Sequence, residues 1–414
     1  MKVMLLKQYN IDPTKALALV DYPMPQPSEE EVLVEIYAAS INPIDARIRS
    51  GYGKAIFSEK TPLPIILGRD FSGVIIKVGA NVEEYREGDS VFGVVSPFRV
   101  AGMKQGSHAK YVCVPISEII KKPNNIDYIQ AASLPYVALT TYSALISQAG
   151  MHYNDYKGKK VFVSAGAGGI GSYAIQFLKA MGAYIVTSCS SKNIEYVCKL
   201  GADEVIDYEK ESAITINDCD IAYDLLGKSN IEPMLSCLKK TSPDSSIISG
   251  IKVLLDNGLA QLESADTTWT VPSYKKILKD FDIELAKLLP YSAKYISIVG
   301  PMMPLTDSKG LHAGMQQFVS DTLKYKAFQA SEFGRYFNYS FFEPNAEGLR
   351  LLVEHIESGK IDPCVSQIFS LTQAPEAHRA IETGHTRGKI VFDMSLVNKD
   401  NSTEEIESMH CMKH

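Results

Sequence analysis

Eight consecutive residues carry the clearest chemical signal in the chain: Ser164-Ala-Gly-Ala-Gly-Gly-Ile-Gly171. They follow the apolar run Lys160-Val-Phe-Val163 and precede Ser172-Tyr-Ala-Ile-Gln-Phe-Leu-Lys179, which reads as a helix. Gly166, Gly168 and Gly171 keep the spacing of a strand-to-helix turn built to receive a pyrophosphate. Glycine permits the tight turn and the close approach of phosphate to backbone. The helix start adds unpaired N–H groups and a favourable dipole. Gly166, Ala167, Gly168, Gly169, Ile170 and Gly171 are therefore candidate dinucleotide contacts. The plain alternative is a tight turn that serves no ligand.

The next strand bears on which dinucleotide fits. In an NAD site this strand usually ends in Asp or Glu, which holds the ribose 2′-hydroxyl. Here Tyr184-Ile-Val-Thr-Ser188 runs into Cys189-Ser-Ser-Lys192, with no acid. Hydroxyls and a cation suit a 2′-phosphate, which an acid would repel. Ser190 and Lys192 are the candidates, and NADPH is expected ahead of NADH. Lys192 as a mere cap on a solvated helix start is the other reading.

These residues need elements to hold them. Residues 1–127 read as short strands and turns, with Glu31-Val-Leu-Val-Glu-Ile-Tyr37 alternating as a half-buried strand does. Residues 128–342 change style. A helix over Tyr128–Ala149, broken by Pro135, leads into strands at 160–164, 184–188, 204–207, 221–225 and 246–249, with helices near 170–182, 192–201 and 230–240. Such alternation implies a parallel sheet covered on both faces. Within it, a helical insertion is expected at about 251–335, where Ile277, Leu278, Phe281, Leu285, Leu288 and Leu289 share one helical face; another strand is expected at 338–342. Residues 343–400 bring a helix at 349–357 and strands at 368 and 390–392, returning to the first unit. Residues 401–414 read as a frayed tail.

The bulk numbers exclude several classes. The 414 residues allow two or three domains. A net charge of −6 argues against a nucleic-acid binder. No stretch approaches the roughly 20 apolar residues of a membrane span. The seven cysteines include no CxxC pair, so neither a disulfide framework nor a clustered zinc site is expected. The N-terminus shows no targeting character, which points to the cytosol.

In this order of parts the chain resembles the medium-chain dehydrogenase/reductases. The shared residues include Asn42-Pro-Ile-Asp45, Leu67-Gly-Arg-Asp-Phe-Ser-Gly73, Gly88-Asp89, Ala131-Ala-Ser-Leu-Pro135, Leu200-Gly-Ala-Asp203 and Arg387-Gly-Lys-Ile-Val391. The resemblance covers nearly the whole chain. It implies an α/β fold in which a GroES-like β-rich catalytic domain joins a Rossmann doubly wound parallel-sheet domain. Zinc-dependent members carry Cys or His where this chain has Asn42, and Gly-His-Glu where it has Gly68-Arg69-Asp70. The resemblance therefore points to the zinc-independent quinone oxidoreductase (ζ-crystallin-like) branch, and within it to the reticulon-interacting mitochondrial oxidoreductase subfamily, which sets a mitochondrial expectation against the cytosolic one. Two departures stand out: Arg47 where many quinone oxidoreductases have Tyr, and a longer segment after Gly250.

The branch implies hydride transfer from NADPH to a quinone or enone. Without a metal, neutral donors must polarise the acceptor carbonyl. Asn42 is the candidate carbonyl donor, or else a turn residue before Pro43. Tyr52 is a candidate proton donor, or a packed loop aromatic. Asp45 orients a neighbour or caps the following helix. By resemblance Arg69 and Asp70 sit under the substrate cleft; structural ion pairing, with each other or across the fold, is the expected role. By resemblance Tyr208 packs near the adenosine and Arg387 approaches the cofactor; the alternatives are ordinary core and a surface charge. No metal is expected. A homodimer is expected from the family. An enoyl thioester reductase, and a cofactor-binding scaffold with little turnover, are the competing functions.

Overall fold

The computed structural model describes residues 1–58, 63–97, 99–100, 105–210, 216–266, 268–290 and 292–397. The tail expected at 401–414 lies outside them. The first part of the chain supplies β1 (Lys2–Leu6), β2 (Leu17–Asp21), β3 (Glu31–Ile41), β4 (Ile65–Ile66), β5 (Asp70–Val78), β6 (Ser90–Val94), β7 (Tyr111–Pro115) and β8 (Ile119–Lys121). β2, β1 and β4 form a small sheet, while β3 is the hub of a larger one, pairing antiparallel with both β5 and β7. Val32, Val34 and Ile36 alternate into the core of this part, and beyond a register shift between Ile36 and Ala38 so do Ala39 and Ile41.

The middle of the chain gives β9 (Lys160–Val163), β10 (Tyr184–Cys189), β11 (Glu204–Asp207), β12 (Ile221–Asp224), β13 (Ala293–Ser297) and β14 (Arg335–Tyr339). They form one parallel sheet in the order β11-β10-β9-β12-β13-β14. With helices on both faces, neighbouring strand residues are buried together: Val161, Phe162 and Val163, then Ile221, Ala222 and Tyr223. This is the Rossmann arrangement, and the overall class is the expected α/β.

The segment after β12 departs from expectation. The strand expected at 246–249 lies inside a helix, Ser245–Glu263. Asp244 caps that helix, its carboxylate accepting from the N–H groups of Ser246 and Ile247. A helix start decided the backbone there, over the β-branched pair Ile247-Ile248. Nor is 251–335 wholly helical. It contains β13, an inner strand of the Rossmann sheet, between the helix Val271–Leu288 and the helices Met302–Lys309 and Leu311–Phe333. Ile277, Leu278, Phe281 and Leu285 are buried in a core of their own, as their spacing implies. The last Rossmann strand, β14, ends at Tyr339, a few residues before the expected position.

The helix Ala346–Glu357 buries Leu349, Leu352 and Ile356 in the core that also holds Val161 and Ile175, so this helix belongs with the Rossmann sheet. Only then does the chain return, as β15 (Val365–Phe369) and β16 (Lys389–Asp393). β16 lies antiparallel to β3 with Ile390 opposite Ile41. That register places Lys389 beside Asn42.

Candidate active site

The glycine turn closes as its sequence implies. A Cβ on Gly166 would stand 2.1 Å from the Thr187 hydroxyl oxygen, and one on Gly171 would stand 2.3 Å from the Ala165 carbonyl. Packing alone therefore requires those two glycines. Gly168 differs: its nearest neighbour would be 3.4 Å away, an ordinary contact. No described residue crowds that position, which is what a ligand seated against the backbone would explain. Gly168 caps the helix Gly169–Ala180, and no side chain satisfies the N–H groups of its first turn. Ala167 is buried, and its carbonyl accepts the Gly388 N–H at 2.9 Å.

At the end of β10 the returning chain arrives again. Ser190 is buried, its hydroxyl receiving the Asn193 side-chain amide at 3.2 Å. Arg387 donates to Asn193 Oδ1 at 3.1 Å and to the Lys192 carbonyl at 3.4 Å, and stands 4.9 Å over the Tyr196 ring. Lys192 and Arg387 are both exposed. Their cations share this corner, although the Arg387 signal lay 194 residues from Asn193 in the chain. One strand over, Asp207 and Glu209 hold Ser191 through its hydroxyl and its N–H. Tyr208, just past β11, is 53% exposed, so it is not ordinary core.

The inner end is built on a buried charge pair. Asp70 opens β5 opposite Ser40. Its Oδ2 accepts from the Ser40 hydroxyl (2.6 Å), Asn42 Nδ2 (2.8 Å) and Lys389 Nζ (3.1 Å), and its Oδ1 from the Tyr136 N–H (2.5 Å). Lys389 Nζ also donates to Asn42 Oδ1 at 2.5 Å. All three side chains are buried, and such a pair is stable only when the buried charges are compensated, as they are here by the four hydrogen bonds to Asp70. Asp45 is buried too. Its carboxylate accepts from the N–H groups of Asn42 (2.9 Å) and Gly68 (3.2 Å), so it caps the helix Pro43–Arg49 and fixes the backbone at Asn42 together.

Of the two pairings open to Asp70 the structure takes the one across the fold: it pairs with Lys389, not with Arg69, because successive residues entering a strand point to opposite faces. Arg69 lies instead 5.4 Å from the Tyr136 ring centroid. Tyr52 makes no hydrogen bond to the Asn42 network. It sits in the turn after the helix Pro43–Arg49, with the Arg47 guanidinium 5.7 Å from its ring centroid, and burial raises its phenol pKa. Asp307 holds that turn from the other side, accepting from Gly53 N–H (2.7 Å) and Ala55 N–H (3.0 Å). Lys389 is the residue of the Asn42 network that the sequence did not single out. It was visible only as part of Arg387-Gly-Lys, and nothing local marks it as inward-facing. A Cβ on Gly169 would stand 2.9 Å from Lys389 Cδ, so the glycine turn and the Asn42 network adjoin. Among the described residues no three His, Cys, Asp or Glu side chains cluster as metal ligands.

Residues 28–124 match the family model of the alcohol dehydrogenase GroES-like domain. Residues 169–243 and 273–392 match models described as zinc-binding dehydrogenase. The mitochondrial NAD(P)H oxidoreductase RTN4IP1 of Danio rerio is 33% identical over 396 residues, 93% of this chain and 87% of the relative. The chain is a medium-chain dehydrogenase/reductase. Within that family it belongs with the NAD(P)H oxidoreductases. The chloroplastic NADPH-dependent alkenal/one oxidoreductase of Arabidopsis thaliana is also 33% identical, over 291 residues, 69% of this chain and 67% of the relative. Among solved structures, the quinone oxidoreductase from Coxiella burnetii superposes with a TM-score of 0.65 at 28% identity, covering 95% of this medium-chain dehydrogenase/reductase and 99% of that chain.

Proposed function

We propose that this medium-chain dehydrogenase/reductase is a zinc-independent, NADPH-dependent oxidoreductase that reduces a quinone or an α,β-unsaturated carbonyl. One observation carries the reading. Three consecutive residues of the returning chain touch three candidate stations in turn: Arg387 at Lys192 and Asn193, Gly388 at Ala167, Lys389 at Asn42. A dinucleotide laid along that line would have its 2′-phosphate, pyrophosphate and nicotinamide at those stations.

When bound, the dinucleotide supplies the hydride. The chain's own residues do the rest. Ser190, Lys192 and Arg387 hold the 2′-phosphate, Gly168, Gly169 and Ile170 meet the pyrophosphate, and Tyr208 packs on the adenosine. Asn42 spends one Nδ2 hydrogen on Asp70 and keeps the second for the acceptor carbonyl. Asp45 positions Asn42, and Tyr52, kept protonated by burial, is the proton donor. The Lys389 ammonium, seated between Asn42 and Asp70, disfavours a zinc dication at that place. Asp207 and Glu209 beside Ser191 favour NADH as the runner-up cofactor. The relatives named mitochondrial favour that compartment over the cytosol. A homodimer would pair through β14, the outer strand of the Rossmann sheet.

The test is a fluorescence titration with NADPH and with NADH, followed by addition of 9,10-phenanthrenequinone while absorbance near 340 nm is watched. NADPH should bind at least about tenfold more tightly, as a charge-assisted 2′-phosphate site implies, and the quinone should then drain the absorbance. Failure to bind either nucleotide would sink the reading.

A further inference from the structure

Arg69 is the anomaly of this molecule. It is 3% exposed, and its Nε and Nη1 have no hydrogen-bond partner. A guanidinium does not shed its charge, so burial leaves a cation with idle donors. Buried donors are nearly always satisfied, and an orphan of this kind calls for a reason. Nearby anions are already committed. Asp70 accepts four hydrogen bonds and Asp45 two. The Tyr136 phenol, over which Arg69 sits, is raised by burial and stays neutral. Among the described residues no anionic oxygen reaches these two donors, which leaves them available to a ligand that brings one.

The surroundings say what kind of molecule brings it. Tyr136 stacks on Phe342, with centroids 4.6 Å apart and planes 29° from parallel. Phe342 follows the carboxyl end of β14, on the edge of the Rossmann sheet where ligands of such folds bind. Through its backbone N–H, Tyr136 also holds Asp70 of the Asn42 network. A cation layered on two stacked aromatic rings beside a hydride-transfer site fits a flat conjugated carbonyl.

We propose that Arg69 is a catalytic residue that binds the acceptor's carbonyl oxygen and stabilises the negative charge it gains on reduction. The proposal rests on the reductase reading above. A quinone that takes a hydride with its two electrons becomes a hydroquinone monoanion, one proton passed on by Tyr52 and replaced from solvent completes the hydroquinone, and the cofactor is left oxidised. Arg69 holds the monoanion's oxygen until that proton arrives. Asn42, with both side-chain atoms engaged by Lys389 and Asp70, supplies at most one neutral donor to the same oxygen.

The experiment compares the wild-type chain with Arg69→Met and Arg69→Lys. The probe is 4-nitrophenolate, a flat anionic stand-in for the reduced acceptor, titrated into each protein saturated with NADP⁺ and followed by its absorbance. The wild type should bind the phenolate at least about tenfold more tightly than Arg69→Met, with Arg69→Lys between them. Quinone turnover by Arg69→Met should fall about a hundredfold or more, NADPH affinity should hold, and millimolar guanidinium should restore part of the rate. The melting temperature of Arg69→Met should stay level or rise, because an unpaired buried cation has been removed. Equal phenolate binding by wild type and Arg69→Met would overturn the proposal, as would a melting temperature that drops along with binding. Arg69-dependent phenolate binding in a wild type that oxidises no NADPH with quinones would support the anion site and sink the reductase reading.

Discussion

Lys192 lies exposed at the outer end of the candidate site, while Lys389 lies buried at its inner end. Lys192 has no carboxylate partner among the described residues, and its neighbour Arg387 reaches it through a backbone carbonyl. Lys389 is locked to Asp70 and Asn42, with the carboxylate wrapped by Ser40 and Tyr136 as well. The contrast separates two uses of charge. An exposed cation contributes little to folding and remains available to a ligand. A buried one is tied to the fold, because either partner alone would be a stranded charge.

The sharpest way to break this comparison is to remove Lys389. Lys389→Met should lower stability by about 3–5 kcal/mol, as expected for breaking a buried pair, and should abolish quinone turnover. Adding Asp70→Asn removes the stranded charge and should recover part of that stability. Urea unfolding of the single and double variants reads both effects. A Lys389→Met protein as stable as the wild type would show that the inner pair does not hold the fold.

Acid should strike the inner end next. His108 is fully buried behind it, with Nε2 3.3 Å from the Ser40 carbonyl, and His378 is buried beside His108. Desolvation lowers the pKa of both below the ordinary histidine value. The sign follows. Above about pH 6.5 both are neutral, folded or unfolded, and cost nothing. As pH falls below that value the unfolded chain takes up protons that the folded chain refuses, so stability declines by up to about 1.4 kcal/mol per pH unit for each histidine. Melting temperature measured from pH 7.5 to 5.5 should fall mainly below 6.5, and a flat profile would contradict the burial of these rings.

The outer end should show the smallest effect on the fold and a selective effect on the ligand. Lys192→Ala and Arg387→Ala should each change stability by less than about 0.5 kcal/mol. Each should weaken NADPH about tenfold while leaving NADH nearly unchanged. Paired fluorescence titrations measure the ratio. Equal weakening of both nucleotides would mean that these cations do not read the 2′-phosphate.

Legibility followed the same division. The glycine turn, the acid-free end of β10 and the strands Glu31–Ile41 and Lys160–Val163 were all readable, because each is written in neighbouring residues. β13 was missed although Tyr295-Ile-Ser-Ile298 is an apolar run; the helical spacing on either side absorbed it. Ile247 and Ile248 read as a strand because a β-branched pair favours one, yet Asp244 capped a helix there. For the candidate site, Ser190, Lys192, Asn42 and Asp45 could be named as candidates from type and place. Lys389 could not, because nothing next to it distinguishes it from the exposed Arg387.

By itself, the sequence determined the local backbone: where glycine must turn, where strands alternate, where helices begin. Those outcomes depend on sterics and hydrogen bonds between residues close in the chain. Only the tertiary structure decided which charges meet. Asp70 found Lys389, 319 residues away, and left Nε and Nη1 of the adjacent Arg69 without a hydrogen-bond partner among the described residues. That choice depends on the register of β16 against β3 and of β3 against β5, and a slip of one residue would turn every one of those side chains to the opposite face.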